Sequence, residues 1–271
     1  MINTIFYFLF RKLYPRFHIR LFKEDNNKVV EIFKANNALL FLESRKYPSL
    51  INNGYRHIEV VINLIKKNKL DKLTILDIGG AAGDVALLFS DSLPLSTIHS
   101  FEPIAKSFSD LKNKTSKISN INSHNFALGS RRETIRINVA ERITSSSLYE
   151  INEEITDSFF SKNLKLKRLE EINVRVLDEE FKENVEISLI KLDVQGYELE
   201  VLRGAVENLK NTHFILTEVM NHDFYKNAPS YSEIDLFLRE NNFVLFDILP
   251  SIRRDDKLME WDVIYKNANL N

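Results

Sequence analysis

The stretch Thr74-Ile-Leu-Asp-Ile-Gly-Gly-Ala-Ala-Gly-Asp84 limits what this chain can fold into more than any other segment. Thr74, Ile75 and Leu76 form an apolar, β-favouring run. Asp77 follows, then a glycine-rich turn, then the helix-compatible segment Val85-Ala-Leu-Leu-Phe89. A buried parallel strand, a tight turn and a helix N-terminus together are how an open α/β sheet presents a nucleotide site. Glycine supplies positive φ and lets a ligand approach the backbone closely. Spacing then separates the ligand classes. A dinucleotide fingerprint reads Gly-x-Gly-x-x-Gly, with an acid about 20 residues downstream. Here the acid comes first, in Asp77-x-Gly79-x-Ala81-x-Gly83, with Gly80 inside the turn. The missing Gly-x-Gly-x-x-Gly sets a nicotinamide site aside. The remaining competitor is a strand-to-helix turn with no ligand.

Beyond the turn, strand and helix patterns alternate as a parallel sheet requires. Residues 97–101 read as a second strand ending at Glu102-Pro103. Residues 104–114 read as a crossover helix, with Pro103 acceptable at or before its first turn. Residues 121–128 read as a third strand, closed by Gly129-Ser130. Residues 134–139 alternate like an exposed, inserted strand, and 174–177 read as another short one. A fourth sheet strand is expected at 187–193 with a helix over about 198–209, and a fifth at 213–218 with a helix over 231–241. Residues 244–249 and 261–265 end the chain as adjacent strands, joined by the charged turn 253–256. Ahead of the first strand, 28–45 and 49–69 read as helices, the second on Ile58, Val61, Ile62 and Ile65. The expected organisation is a helical extension or cap over 1–70 and an α/β domain over 71–271.

The chain has 271 residues, 44% hydrophobic and 28% charged, a globular balance with room for one large domain and an elaboration. A formal charge of −1 removes any global electrostatic case for a polyanionic partner. With no cysteine, a disulfide framework, thiolate metal ligands and a cysteine nucleophile are all excluded. The first ten residues are apolar but too few to span a bilayer, which needs about 20. They also lack a basic n-region and a small-residue cleavage site. Arg11, Lys12, Arg16 and Arg20 follow, interleaved with Leu13, Tyr14, Phe17, Ile19, Leu21 and Phe22. Two readings stand for residues 1–22: a helix docked on the domain or on a second subunit, or a basic aromatic segment lying on an anionic membrane. The expected location is cytoplasmic, with peripheral contact at the inner membrane face on the second reading.

The most specific pattern is Ile190-Lys-Leu-Asp-Val-Gln-Gly-Tyr-Glu-Leu-Glu-Val-Leu-Arg-Gly-Ala205. Together with Phe101-Glu-Pro103, Ala127-Leu-Gly129, Ser145-Ser-Ser-Leu148 and Thr217-Glu218, it resembles the FkbM family of methyltransferases. That family's signature is Lys-x-Asp-x-(Glu/Gln)-Gly-x-Glu-x-x-x-Leu-x-Gly-Ala. The segment Asp77-x-Gly79-x-Ala81-x-Gly83 likewise resembles the first motif of class I S-adenosylmethionine-dependent methyltransferases, with Ala81 at the middle glycine. The resemblance covers about residues 70–266. It implies a Rossmann-like class I fold, a seven-stranded, mostly parallel sheet with an antiparallel last strand. It also implies S-adenosylmethionine as methyl donor and an O-methylated product. On this reading Asp77 orients the turn and the amino-acid half of the donor, and the Gly79, Gly80, Ala81 and Gly83 backbone passes beneath. Glu102, ending the second strand, accepts from the ribose hydroxyls. Asn125 and Ala127, near the end of the third strand, stand where the adenine ring is usually held.

Methyl transfer to a hydroxyl is an in-line displacement at carbon. The site must align oxygen, methyl and sulfur, and must take a proton from a barely ionised alcohol. Alignment supplies about 7 kcal/mol or more of the barrier, and a positioned base about 10²–10⁴-fold in rate. Asp193 and Glu218 are the candidate acids. His222 is a candidate base because imidazole titrates near neutrality, against the plainer reading of an exposed loop histidine. Glu198 either serves the site or opens the following helix, where an acid favours the dipole. Asp193, Glu218, Asn221 and Asp223 could ligate a hard cation, yet no ligand spacing singles them out and no metal is expected. Ser145, Ser146 and Ser147 either contact the acceptor or cap a helix starting near Asn152. The basic run 162–168 is a solvated face or an anion contact, and Trp261 packs the last strand or stacks on a ligand.

Without cysteine, cytosine-C5 methylation has no nucleophile. Adenine-N6 enzymes carry Asn/Asp-Pro-Pro-Tyr/Phe after the fourth strand, where Asp193-Val-Gln-Gly196 stands here. The expected acceptor is therefore a hydroxylated small molecule, glycan or lipid-linked glycan intermediate, and no nucleic acid. A nucleic-acid methyltransferase and a non-catalytic cofactor-binding scaffold are the competing readings. Neither the acceptor's identity nor the oligomeric state is written in the sequence.

Overall fold

A computed structural model describes residues 56–152, 164–181, 185–220, 224–249, 252–254 and 256–270, and the backbone of 23–25, 28–35 and 38–43. Two compact units emerge, Met1–Val60 and Val61–Asn271.

The described part of the first unit is a meander of three antiparallel strands, β1 (Lys23–Asp25), β2 (Lys28–Ala35) and β3 (Ala38–Glu43). Asp25 pairs with Lys28 and Ala35 with Ala38, so two residues connect each pair. Both connections are Asn-Asn in the sequence, a dipeptide suited to tight hairpins. This corrects the helix expected over 28–45. The apolar positions there fit a helical period as well as a strand period, and the β-branched and aromatic content of Val29, Val30, Ile32 and Phe33 decides for strands.

The helix expected over 49–69 is α1 (Arg56–Lys67), which buries Val61, Ile62 and Ile65; residues 49–55 lie outside the described residues. The main sheet of the second unit is built from β4 (Thr74–Ile78), β5 (Thr97–Phe101), β6 (Ile121–His124), β10 (Ile187–Leu192), β11 (Thr212–Met220), β12 (Phe243–Ile248) and β14 (Lys257–Asn267). Its order is β12-β14-β11-β10-β4-β5-β6. The β10-β11, β10-β4, β4-β5 and β5-β6 pairs are parallel, whereas β14 runs antiparallel to both its neighbours. This is the Rossmann-like class I methyltransferase sheet, mostly parallel, with its last strand reversed. Part of the charged segment before β14 is itself a strand, β13 (Ile252–Arg254), paired with β14. All six residues of β10 are buried, as in a central parallel strand covered on both faces.

Helices α2 (Asp84–Ser92) and α3 (Ala105–Thr115) make the crossovers from β4 to β5 and from β5 to β6. The chain direction across the sheet reverses between β4 and β10. Ligands of open α/β sheets bind at such a switch point, beyond the carboxyl ends of the strands.

The single strand expected over 121–128 divides. β6 stops at His124, and Asn125 Nδ2 donates to the carbonyls of Glu102 (2.9 Å) and Pro103 (3.1 Å), turning the chain out of the sheet. The next strand, β7 (Ala127–Leu128), joins a second sheet of order β7-β9-β8 with β8 (Glu133–Ala140) and β9 (Leu166–Arg175). Ile104, Ala127, Ile137, Val139, Ile172 and Val174 form its core. The strand expected at 174–177 is thus the end of β9, followed by α4 (Leu177–Glu180). The helix expected over 198–209 is two pieces, α5 (Glu198–Arg203) and α6 (Val206–Leu209). They break where Gly204 meets Gly129: a Cβ at 204 would stand 2.0 Å from the Gly129 carbonyl oxygen. Helix α7 (Tyr231–Glu240) opens with a complete capping box, Ser230 and Glu233 each bonding the other's backbone N–H.

Candidate active site

The turn after β4 closes over the end of β5, with Gly79 and Gly80 both donating their N–H to the Phe101 carbonyl (3.1 and 2.9 Å). Gly79 has φ +85°, and a Cβ there would lie 1.9 Å from the Asp193 carbonyl oxygen, so glycine is demanded twice over. A Cβ at Gly80 would meet Ser100 Oγ at 2.1 Å. That hydroxyl is occupied in donating to Asp77 Oδ2 (2.8 Å). Ala81 takes φ +44° without being glycine. Its N–H donates to Glu102 Oε2 (3.0 Å), a charge-assisted bond that offsets the left-handed strain of about 1–2 kcal/mol. The other Glu102 oxygen accepts from Ile104 N–H (2.8 Å). Burial pushes the Glu102 carboxyl up to about 7 despite these two donors. Gly83, with φ +86°, lies against Leu111 of α3 and serves the packing of α2 on α3.

Beneath the turn lies a buried cation. Lys191 on β10 places Nζ 3.2 Å from Asp77 Oδ1 and 3.5 Å from Asp193 Oδ2, and donates to the Gly79 carbonyl (3.1 Å). Burial acts to lower its pKa, but the Asp77 and Asp193 carboxylates outweigh burial and raise it. Asp77 Oδ1 has no aligned hydrogen-bond donor, so Lys191 meets it as a charge. Thus the first-strand acid, the glycine turn and the fourth-strand acid share one ammonium group. Sequence reasoning passed over Lys191; a lone cation in a buried strand whose other residues are apolar or serine is the signal that could have found it.

Asp193 continues from β10, its N–H donating to the Ile78 carbonyl (3.1 Å). The turn that follows carries Gln195 at φ +56° and Gly196 at φ +96°. Glu198, first residue of α5, accepts from the Val194 and Gly196 N–H groups on one oxygen (3.0 and 3.3 Å). Its carboxyl is buried and pushed up to about 7 by that burial. Glu198 therefore secures the turn from beneath. Gln195 Nε2 donates to Asp193 Oδ1 and to Glu218 Oε2, both at 2.9 Å, and its Oε1 accepts from Tyr225 O–H (2.9 Å). Glu218 titrates well above the ordinary carboxylate range because it is buried, with Asp193 and then Glu260 and Asp262 nearby. The last two come from β14, whose Asp262 pairs with Glu218 and Glu260 with Met220. Burial and Asp193 push Glu260 up to about 7. No sequence pattern signalled Glu260, because only the antiparallel return of β14 brings it there.

The structure thus gathers Asp77, Gly79, Gly80, Ala81, Glu102, Asp193 and Glu218 around the switch point. Asn125 braces the end of β5, and Ala127 is packed in the core of the second sheet. His222, Asn221 and Asp223 lie outside the described residues. Among the described residues no three His, Cys, Asp or Glu side chains are grouped to hold a metal ion. Ser146 Oγ donates to the Ile143 carbonyl (2.7 Å) and accepts from Ala140 N–H, while Ser147 Oγ donates to the Gln195 carbonyl (2.7 Å). Those two hydroxyls bind their own loop and the Gln195 turn; the helix expected from near Asn152 lies outside the described residues. Trp261 is buried, with its ring centroid 5.6 Å from that of Tyr231.

Backbone that admits no side chain at 79 and 80, a carboxylate at the end of the adjacent strand, and a pair of acids across the switch point suit a nucleoside-bearing donor. The fold is that of a class I S-adenosylmethionine-dependent methyltransferase. The family model for the methyltransferase FkbM domain matches residues 77–245, and the chain belongs to that family, with S-adenosylmethionine as its cofactor. No curated protein matches the sequence. Among solved structures, fibrillarin from Aeropyrum pernix in complex with S-adenosylmethionine is 16% identical, covering 87% of this chain and 88% of its own, with a TM-score of 0.45. Magnesium protoporphyrin IX methyltransferase from Synechocystis is 9% identical over 80% of each chain, with a TM-score of 0.44. TehB from Haemophilus influenzae is 11% identical over 84% of this chain and 68% of its own, at 0.46.

Proposed function

We propose that this methyltransferase transfers the methyl group to a hydroxyl of a small molecule or of a glycan, including a lipid-linked glycan intermediate. The observation that carries the reading is the pairing of Asp193 and Glu218 by one amide at the carboxyl ends of β10 and β11, beside the glycine turn. An alcohol needs a base close to the reacting oxygen, and a buried carboxylate held next to a second acid is more basic than an exposed one. The donor supplies a methyl group activated by its sulfonium charge. The Gly79–Gly83 backbone holds the donor's amino-acid half, oriented from beneath by the buried Asp77 through Ser100 and Lys191, and Glu102 accepts from its ribose. Asn125 and Ala127 stand at the adenine end. Asp193 and Glu218 orient the acceptor hydroxyl and take its proton, with His222 as a further base from the segment after β11.

The acceptor reading excludes nucleic acid on the near-neutral charge and on the Asp193-Val-Gln-Gly196 sequence. Residues 1–22 would place the enzyme peripherally on the inner membrane face, close to a lipid-linked acceptor. Among the described residues no helix is long and apolar enough to cross a membrane. Methyl-labelled donor, offered with panels of sugars, glycolipids, phenols, amines and nucleic acids, tests the proposal. Label in an ether supports it; label confined to a methyl ester, to nitrogen or to nucleic acid overturns it. Flotation with anionic liposomes, comparing the full chain with one lacking residues 1–22, tests the membrane contact, and equal partitioning ends it.

A further inference from the structure

The two acids of the proposed transfer site are joined through a residue that the sequence marks only as a variable signature position. Gln195 sits at φ +56°, a conformation an L side chain adopts at a cost, directly before Gly196 at φ +96°. Its carbonyl accepts from Ser147 Oγ (2.7 Å), and its side-chain oxygen shares the Tyr225 O–H with the Ser145 carbonyl (both 2.9 Å). A side-chain amide has two N–H hydrogens. Here the nitrogen faces one carboxylate oxygen from each acid, Asp193 Oδ1 and Glu218 Oε2, both at 2.9 Å. A carboxylate in the same place could donate to neither unless protonated.

We propose that Gln195 is a positioning residue for the transfer reaction: its amide fixes the Asp193 and Glu218 carboxylates relative to one another. Through Ser147 and Tyr225 it ties that pair to the segments 145–149 and 224–228. The proposal rests on the reading of Asp193 and Glu218 as the acids of hydroxyl methylation. The strained backbone is what brings the amide between them. A relaxed turn at 195 would point the side chain elsewhere and leave the two acids facing each other without a shared donor. The other titratable groups that bear on Glu218 are Glu198 from α5, Glu260 and Asp262 from β14, and Tyr225.

The test is carbon-13 NMR titration of the full chain labelled at glutamate side-chain carboxyls, with Glu218 assigned by its loss in Glu218→Gln. Gln195→Leu keeps the bulk and removes both donors. It is expected to raise the Glu218 midpoint by about one pH unit or more, because a hydrogen bond to the charged form is lost. Gln195→Glu keeps the shape and adds a like charge, so the midpoint rises and the two glutamates titrate together. It also serves if the leucine variant fails to fold. Calorimetry with S-adenosylhomocysteine is expected to give the same affinity for wild type and both variants. A Glu218 midpoint unmoved in both variants overturns the positioning role. Absence of S-adenosylhomocysteine binding to the wild type would instead strike the donor site, and the two failures are distinct.

Discussion

Replacing Lys191 with methionine removes the cation that three parts of the site share. The Lys191 side chain is 4% exposed and that of Asp77 is fully buried, so water cannot take the ammonium's place. Removing one partner of such a buried pair leaves an uncompensated charge, at a cost of about 3–5 kcal/mol. For a domain of this size each 1 kcal/mol lowers the melting temperature by about 2–4 °C, giving a fall of about 6–20 °C. Urea unfolding followed by circular dichroism measures the change directly. Adding Asp77→Asn to Lys191→Met removes the stranded charge and should restore part of the loss, a positive coupling in a double-mutant cycle. A Lys191→Met chain within about 1 kcal/mol of wild type, the scale of an exposed ion pair, would refute the shared-cation account.

Other outcomes follow from the same geometry. Glu198 titrates at about 7 in the folded chain, above the ordinary value of about 4.3. Its contribution to stability is thus fully present below about pH 4.3 and lost as pH rises through 7. Glu198→Gln keeps the one oxygen that accepts from Val194 and Gly196, so denaturation should show a gain of up to about 3 kcal/mol at pH 8 and none at pH 4. Equal effects at both pH values would count against it. Gly204→Ala forces a Cβ against the Gly129 carbonyl and should cost about 1–3 kcal/mol or more in chemical denaturation, without a direct contact to the donor site. Asp193→Asn should lower the rate of labelled-methyl transfer by about 10²–10⁴-fold while S-adenosylhomocysteine still binds. Parallel loss of both would give Asp193 a folding role instead.

The parallel core was legible because β4, β10 and β11 are largely apolar runs whose ends carry glycines or acids, and burial on two faces imposes that composition. The glycine turn and Glu102 were legible for the same local reason. What escaped was set by distant contacts. Asn125 ends β6 by bonding the backbone of β5's end, and Gly204 breaks a helix because the chain at Gly129 runs past it. Neither partner is near in sequence. The strands β2 and β3 were misread because their apolar positions satisfy two periods at once. In the site, Lys191 was passed over although a cation in a buried strand could have marked it, and Gln195, Tyr225 and Glu260 depend on loop and antiparallel geometry that no local spacing encodes.

Methyl transfer by this chain requires a donor site formed by the turn at Gly79–Gly83 and the carboxylate of Glu102. Titration calorimetry of S-adenosylhomocysteine into the full chain, beside Glu102→Ala, tests it most directly. Saturable one-to-one binding is predicted, weakened about 10–100-fold by the loss of charge-assisted bonds in the variant. No heat of binding with the folded wild type, or equal affinity in the two proteins, would contradict it.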